Sequence, residues 1–287
     1  MIGIVLAGGH GSRLYPLTAA VSKQLLPVFD KPMIYYPIST LMLSGIRQIL
    51  IVSTPRDIAR FQDLLGDGSN FGVNFDYFVQ DFPNGIAEVF KICKERIQGK
   101  KVCLILGDNL FHGNGLGREL SKYLTIEGCH ILGYPVSNPQ DYGVLEMDQN
   151  GSILGIEEKP QNPRSKFAIP GLYFYDEKVL ERSLSLTASS RGELEITALN
   201  KIYLDENQLS CSILPRGTAW FDTGTFENLS DASNYVRILE QRQGVKVACL
   251  EEIAWKQGWI NKANLLSLID DPARKSISSY LQNLLSK

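Results

Sequence analysis

Three short runs in the first half of the chain are apolar at nearly every position: Ile4–Ala7, Ile49–Val52, and Lys101–Leu106 after its lysine. A strand with one wet face alternates apolar with polar residues, so runs without a polar face belong to strands covered on both sides. Helical spacing recurs between them. Ile58, Phe61 and Leu65 share a face in Pro55–Leu65. Ile86, Val89, Phe90 and Cys93 share one in a helix that Asn84 is placed to cap and that runs through Lys91 to Ile97. Val73–Gln80 alternates as a strand does. The pattern predicts an α/β fold with a parallel, helix-covered sheet. Ligands of such sheets lie beyond the carboxyl ends of the strands. The glycine loop after Ala7, Gln80 and Asp108 all fall there.

That loop reads Gly8-Gly9-His10-Gly11-Ser12-Arg13 and leads to Lys23 and Gln24. Glycines let backbone N–H groups curl around an anion. Arg13 and Lys23 add a planar fork and a point charge, two cations suited to phosphate. The glycines alone could serve only as a tight turn; the cations beside them point to a phosphate site. The P-loop pattern fails because no lysine follows Gly11. The dinucleotide pattern fails because Leu14 stands where a glycine is required, which argues against a nicotinamide oxidoreductase.

Among 287 residues the formal net charge is −2 and no long basic run occurs, so a nucleic-acid-binding face is not expected. A mononucleotide needs only a few local cations. The five cysteines are scattered without a CxxC pair, as in a reduced, cytoplasmic protein. No signal peptide or stretch long enough for a membrane span is expected. Asp108 directly follows an apolar strand, where a carboxylate must find a cation or a capping role. Hard Mg²⁺ accepts one or two carboxylates plus substrate phosphates. Asp222 is placed to cap a helix from Phe226 to Arg242.

From Ile131 the pattern changes to short strands, Gly133–Pro135, Gly143–Met147, Ser152–Glu157 and Phe167–Tyr175, read as a small mixed β layer. Trp255 and Trp259, four apart, are expected on one helix face in the C-terminal tail. His10, His112 and His130 receive no role.

The blocks LAGGHGSRLYPLT, SKQLLPVFDKPMIYYPIS, QDFPNGIAEVF, LGDN, YGV, EKP, FAIPGLYFYD, RGELEIT and RGTAWFDTGT span the chain. Together they resemble the nucleotidyltransferases that act on sugar 1-phosphates, most nearly those joining dTTP to glucose 1-phosphate. The resemblance implies a Rossmann-like mixed, mostly parallel sheet flanked by helices, with a small β layer and C-terminal helices. It implies a catalytic domain over residues 1–240, its nucleotide half about 1–130 and its sugar half about 131–225, and a helical extension over 241–287. Leu6, Gly8, Gly9, Gly11, Ser12, Arg13, Gln24, Gln80, Pro83 and Gly85 would bind the nucleotide. Asn109, Tyr142, Gly143, Glu158, Lys159, Ile169, Tyr173 and Arg191 would bind the sugar phosphate. Arg13, Lys23 and Lys159 would be catalytic, and Asp108 and Asp222 would hold Mg²⁺.

The same resemblance implies a homotetramer, a dTDP-sugar feedback site, and a place in deoxysugar synthesis for cell-surface polysaccharide. Ser12, Ile86, Glu88 and Pro170 depart from the family pattern. A UTP-using or other hexose-1-phosphate enzyme, and a catalytically silent nucleotide-sensing regulator, are the alternatives.

Overall fold

The computed structural model describes residues 1–9, 11–189 and 191–285. Strand β1 (Ile2–Ala7) opens the chain, followed by a two-residue hairpin, β2 (Pro27–Val28) and β3 (Lys31–Pro32). Then come α1 (Tyr35–Leu43), β4 (Gln48–Ser53), α2 (Ile58–Leu65), β5 (Asn74–Val79), α3 (Glu88–Ile92), α4 (Lys94–Ile97), β6 (Val102–Leu106), β7 (Asn109–His112) and α5 (Leu116–Ser121). The second half holds β8 (Cys129–Pro135), β9 (Gly143–Met147), β10 (Ile153–Glu158), β11 (Phe167–Ala168), β12 (Leu172–Tyr175), α6 (Val179–Leu184), α7 (Ile196–Asp205), β13 (Leu209–Ile213), β14 (Ala219–Asp222) and α8 (Phe226–Gln243). Helices α9 (Leu250–Lys256), α10 (Lys262–Asp270) and α11 (Lys275–Leu285) close the described chain.

The all-apolar runs lie side by side. β1 pairs in parallel with β4 and β6, and β5 extends the sheet past β4. Val5, Ile49, Ile51, Cys103 and Ile105 enter a core on one face of the sheet, while Ile4, Leu50, Val52, Val102 and Leu104 enter a core on the other. With both faces covered, no position within these apolar runs can be polar without burying that group.

The second half supplies the expected mixed β layer, as an extension of the same sheet. β12 runs antiparallel to β6, β8 antiparallel to β12, and β13 parallel to β8, so one mixed ten-stranded sheet passes through both halves. β9, β10 and β11 form its far end. The run Phe167–Tyr175 is not one strand. It breaks between β11 and β12 at Pro170, which has no N–H to give a ladder, and at Gly171, whose N–H goes to Asn109.

Asn84 does not cap a helix. The backbone of residues 84–87 is clasped to Leu194 instead, with Leu194 N–H donating to Asn84 O at 2.6 Å and Ala87 N–H to Leu194 O at 3.0 Å. The helix therefore starts at Glu88, and it breaks at Cys93 into α3 and α4. Trp255 and Trp259 do not share a helix face either. α9 ends at Lys256, Gly258 turns the chain at φ 68, and Trp259 lies under the Arg47 guanidinium, 5.3 Å from its ring centroid. The C-terminal helices add Leu250, Ile253, Leu265 and Leu281 to the same core as Ile34, Ile38 and Phe71, next to α1.

Candidate active site

At the end of β1, Leu6, Gly8 and Gly9 form the floor of a cleft whose walls are Gln24, Gln80, Pro83 and Gly85. Gln24 is buried and braces the floor: its Nε2 donates to Gly8 O at 3.2 Å, and its Oε1 accepts from Ser22 Oγ at 2.6 Å. Gln80 continues β5, its N–H bonded to Ser53 O at 2.8 Å. Gly85 sits at φ 105 where any β-carbon would overlap the Leu194 backbone, so this wall can be built only with glycine. Gly11 and Ser12 stand on the outer arm of the loop, where Gly11 O accepts from Thr18 Oγ1 at 2.9 Å. His10, given no role above, lies outside the described residues.

A second cleft adjoins the first, sharing Ile86, Leu106 and Asp108 with it. Asp108 lies two residues past the end of β6 and is buried. Its carboxylate pairs with Lys23 Nζ and accepts from Asn109 Nδ2 at 3.1 Å. Burial opposes its charge, yet the Lys23 ammonium outweighs that and holds its pKa below the ordinary carboxylate value. Lys23 thus meets a carboxylate, not the open loop, in this state of the protein.

Asp222 arrives from far along the chain through a two-stranded ribbon in which β14 pairs with β7 and Asp222 stands opposite Asn109. Burial, with the Asp108 charge adding to it, raises the Asp222 carboxyl to about 6. Asp222 is not the cap of α8. That cap is Thr225, whose Oγ1 accepts from Asn228 N–H at 3.2 Å, while an Asp222 oxygen accepts from Gly224 N–H at 3.1 Å. Arg13, exposed on its loop, brings its guanidinium to within 2.8 Å of where a β-carbon on Gly224 would stand, beside Asp222. Two carboxylates in mutual repulsion, Asp108 buried and Asp222 half-buried, open to a cleft and form a hard-oxygen donor set that a divalent cation would relieve.

The second cleft is walled by Tyr142, Gly143, Glu158, Lys159, Ile169 and Tyr173. Glu158 Oε2 accepts from Thr197 Oγ1 at 2.6 Å, which ties β10 to the start of α7. Lys159 is exposed and held at φ 45, a region unfavourable for any side chain with a β-carbon. Two expected ligands are otherwise engaged. The amide of Asn109 is used within the protein, its Oδ1 accepting from Trp220 Nε1 at 2.7 Å and from Gly171 N–H at 3.0 Å. The N–H of Ile169 donates to Gly143 O at 2.7 Å, so this residue offers the cleft its side chain. Arg191 stands at the rim, paired with Glu195 Oε1 at 2.8 Å and 3.9 Å from Glu158 Oε1.

The nucleotidyl transferase family model matches residues 2–237. The chain belongs to the nucleotidyl transferase family. Curated relatives named glucose-1-phosphate thymidylyltransferase include one from Mycobacterium tuberculosis H37Rv, 50% identical with all of both chains covered. Another, from Xanthomonas campestris strain B100, is 51% identical over 98% of this chain and 96% of that one. A crystal structure of a Bacillus anthracis protein assigned that same activity, in complex with sucrose, is 39% identical with a TM-score of 0.76, covering 83% of this chain and 95% of the other. A UDP-glucose pyrophosphorylase with bound UDP-glucose, 23% identical with a TM-score of 0.73, has the same fold.

Against this family's pattern, sequence reasoning missed Thr197, Trp220 and Glu193, all of which border the clefts. Thr197 and Glu193 lie within the RGELEIT block and Trp220 within RGTAWFDTGT, so the blocks pointed to them. Their partners in space, Glu158 for Thr197 and Asn109 for Trp220, were the part that the sequence could not display.

Proposed function

We propose that the chain is a glucose-1-phosphate thymidylyltransferase, which makes dTDP-glucose and pyrophosphate from dTTP and glucose 1-phosphate. The observation that carries this reading is the meeting of two clefts at Asp108, with Asp222 beside it and the cations Arg13, Lys23 and Lys159 around the junction. The first cleft takes the base and deoxyribose, and the second takes the hexose. The phosphates meet between them. A phosphate monoester dianion is already a nucleophile, so no activated serine or cysteine is needed. One of its oxygens forms a bond to the α-phosphorus of dTTP as the bond to the bridging oxygen breaks, and that electron pair leaves with pyrophosphate.

The protein's task is alignment and charge neutralisation. Two anions 4 Å apart repel by about 4 kcal/mol at an effective dielectric near 20. Arg13 holds the departing pyrophosphate, Lys159 orients the attacking phosphate, and Lys23 turns from Asp108 toward the nucleotide phosphates. Asp108 and Asp222 would hold Mg²⁺, which supplies charge neutralisation at the phosphates. Glu158, braced by Thr197, and the Tyr142–Gly143 backbone receive sugar hydroxyls, with Arg191 closing the rim. The reading further includes a catalytic unit over residues 1–240, cytoplasmic location, tetramer assembly and a dTDP-sugar effector site, tested by light scattering and product inhibition. Among the described residues no helix is long and apolar enough to cross a membrane.

The test is pyrophosphate release from glucose 1-phosphate with dTTP, UTP, CTP, ATP or GTP, with and without EDTA. Fastest release with dTTP, abolished by EDTA, is expected. Release with UTP but little with dTTP would keep the fold and overturn the base. Binding of a nucleotide with no release would favour a regulatory protein.

A further inference from the structure

In the base cleft, the orientation of the Gln80 amide is fixed by its neighbours. Gln80 is 6% exposed and stands where β5 ends. Its Nε2 donates to Glu88 Oε2 at 2.8 Å and to Gly85 O at 3.2 Å. The other oxygen of Glu88 accepts from Asn84 Nδ2 at 2.8 Å, which keeps the carboxylate from swinging away. A carboxylate and a peptide carbonyl can only accept hydrogen bonds. Turning the Gln80 amide over would set its oxygen against two acceptors, so its polarity is determined by chemistry and needs no choice between look-alike atoms.

The consequence lies on the opposite side of the amide. Oε1 faces the cleft floor at Gly8, where a β-carbon would stand only 2.9 Å from it, and no protein donor reaches it among the described residues. The cleft therefore presents a bare acceptor. Thymine and uracil carry a donor at ring position N3, whereas cytosine carries an acceptor there. A site built around one hydrogen bond rejects a ligand that leaves its buried partner unpaired far more strongly than apolar contacts can.

We propose that Glu88 is a positioning residue for base selection: by holding Gln80 Nε2 it fixes Gln80 Oε1 as the acceptor that receives N3–H and turns cytosine away. The inference rests on the reading above that this cleft takes the base of a pyrimidine nucleoside triphosphate. It also separates two kinds of selectivity, because Gln80 treats thymine and uracil alike and leaves their discrimination to other groups.

The experiment compares kcat/KM for dTTP, dUTP and dCTP in wild-type protein, Glu88→Met and Glu88→Gln, with thermal melting of each to check folding. Methionine keeps the length of the side chain but cannot accept from Nε2 with comparable strength. Glutamine can accept, but only in one of its two orientations. The wild type should favour dTTP over dCTP by ~100-fold or more. In Glu88→Met the dTTP:dCTP ratio should fall roughly tenfold or more while dTTP:dUTP holds within about twofold, with Glu88→Gln between. A dTTP:dCTP ratio that survives in Glu88→Met overturns the proposal, as does an equal fall in both ratios, which would mark general damage to the cleft. If Glu88→Met fails to fold, an unchanged dTTP:dCTP ratio in Glu88→Gln also overturns it. A wild type that uses dCTP as well as dTTP would overturn the reading of the cleft itself, before any variant is considered.

Discussion

Asp222 illustrates how a single carboxylate can oppose the fold that holds it. Its pKa is raised to about 6 by burial and by Asp108, above its unfolded value of 3.8. A raised acid favours the folded state only while protonated, so its contribution is present below pH 4 and lost as pH rises through 6. At pH 7.5 Asp222→Asn should therefore leave the melting temperature of the metal-free protein unchanged or higher, while turnover falls by about 10²-fold or more. Differential scanning fluorimetry beside the pyrophosphate assay separates the two effects; a lower melting temperature would point to a structural role. Lys159 makes a parallel case. Holding a lysine at φ 45 costs on the order of 1–3 kcal/mol. Lys159→Gly should melt no lower than the wild type, yet lose about 10²–10³ in kcat if Lys159 orients the attacking phosphate. The residue types at both positions were legible in the sequence, because a carboxylate and a lysine in family blocks stand out. Their engagement was not: Lys23 on Asp108, Asn109 on Trp220 and the Ile169 N–H on Gly143 are tertiary pairings that no local pattern encodes.

Among elements, the strands with no polar face were easiest to read, since β1, β4 and β6 are covered on both sides and have no competing interpretation. Boundaries shifted where another segment captured the backbone. Leu194 took the groups that would have begun a helix at Asn84, and Pro170 split one strand into β11 and β12. The start of α8 offers a test of this level. Thr225 caps it, and Asn228 Nδ2 donates to Asp222 O at 2.8 Å, so the first turn of the helix also positions the carboxylate strand. Thr225→Ala should lower unfolding free energy in urea by ~1 kcal/mol. Asp222→Asn should not. Opposite signs for two residues three apart would show that cap and candidate ligand are distinct; equal losses would return the capping role to Asp222.

At the scale of the whole molecule, the site depends on one sheet that runs through both halves and on the β7–β14 ribbon that carries Asp222 to Asp108. Neither could be read in advance, because strand order depends on non-local pairing. His130 lies within this continuity, on β8 between its partners β12 and β13. Its ring stacks on Tyr123 at 3.8 Å between centroids, its Nδ1 meets Ser210 Oγ at 2.8 Å, and its Nε2 is buried without a partner among the described residues. Burial lowers its pKa to about 4, with only the nearby Glu119 charge opposing that shift. The unfolded chain, titrating near 6.5, binds the proton that the folded protein refuses, so stability must rise with pH across this window. At about 1.4 kcal/mol per unit, a shift of this size removes up to roughly 3 kcal/mol between pH 6.5 and pH 4. Carboxylates lose stability over part of the same range, so the useful quantity is a difference. Urea unfolding of the wild type and His130→Gln from pH 4 to pH 7 should give curves that converge as pH falls, the variant lacking this acid-labile component. Curves that stay parallel would mean that His130 titrates normally and that the seam between β8 and β13 admits water.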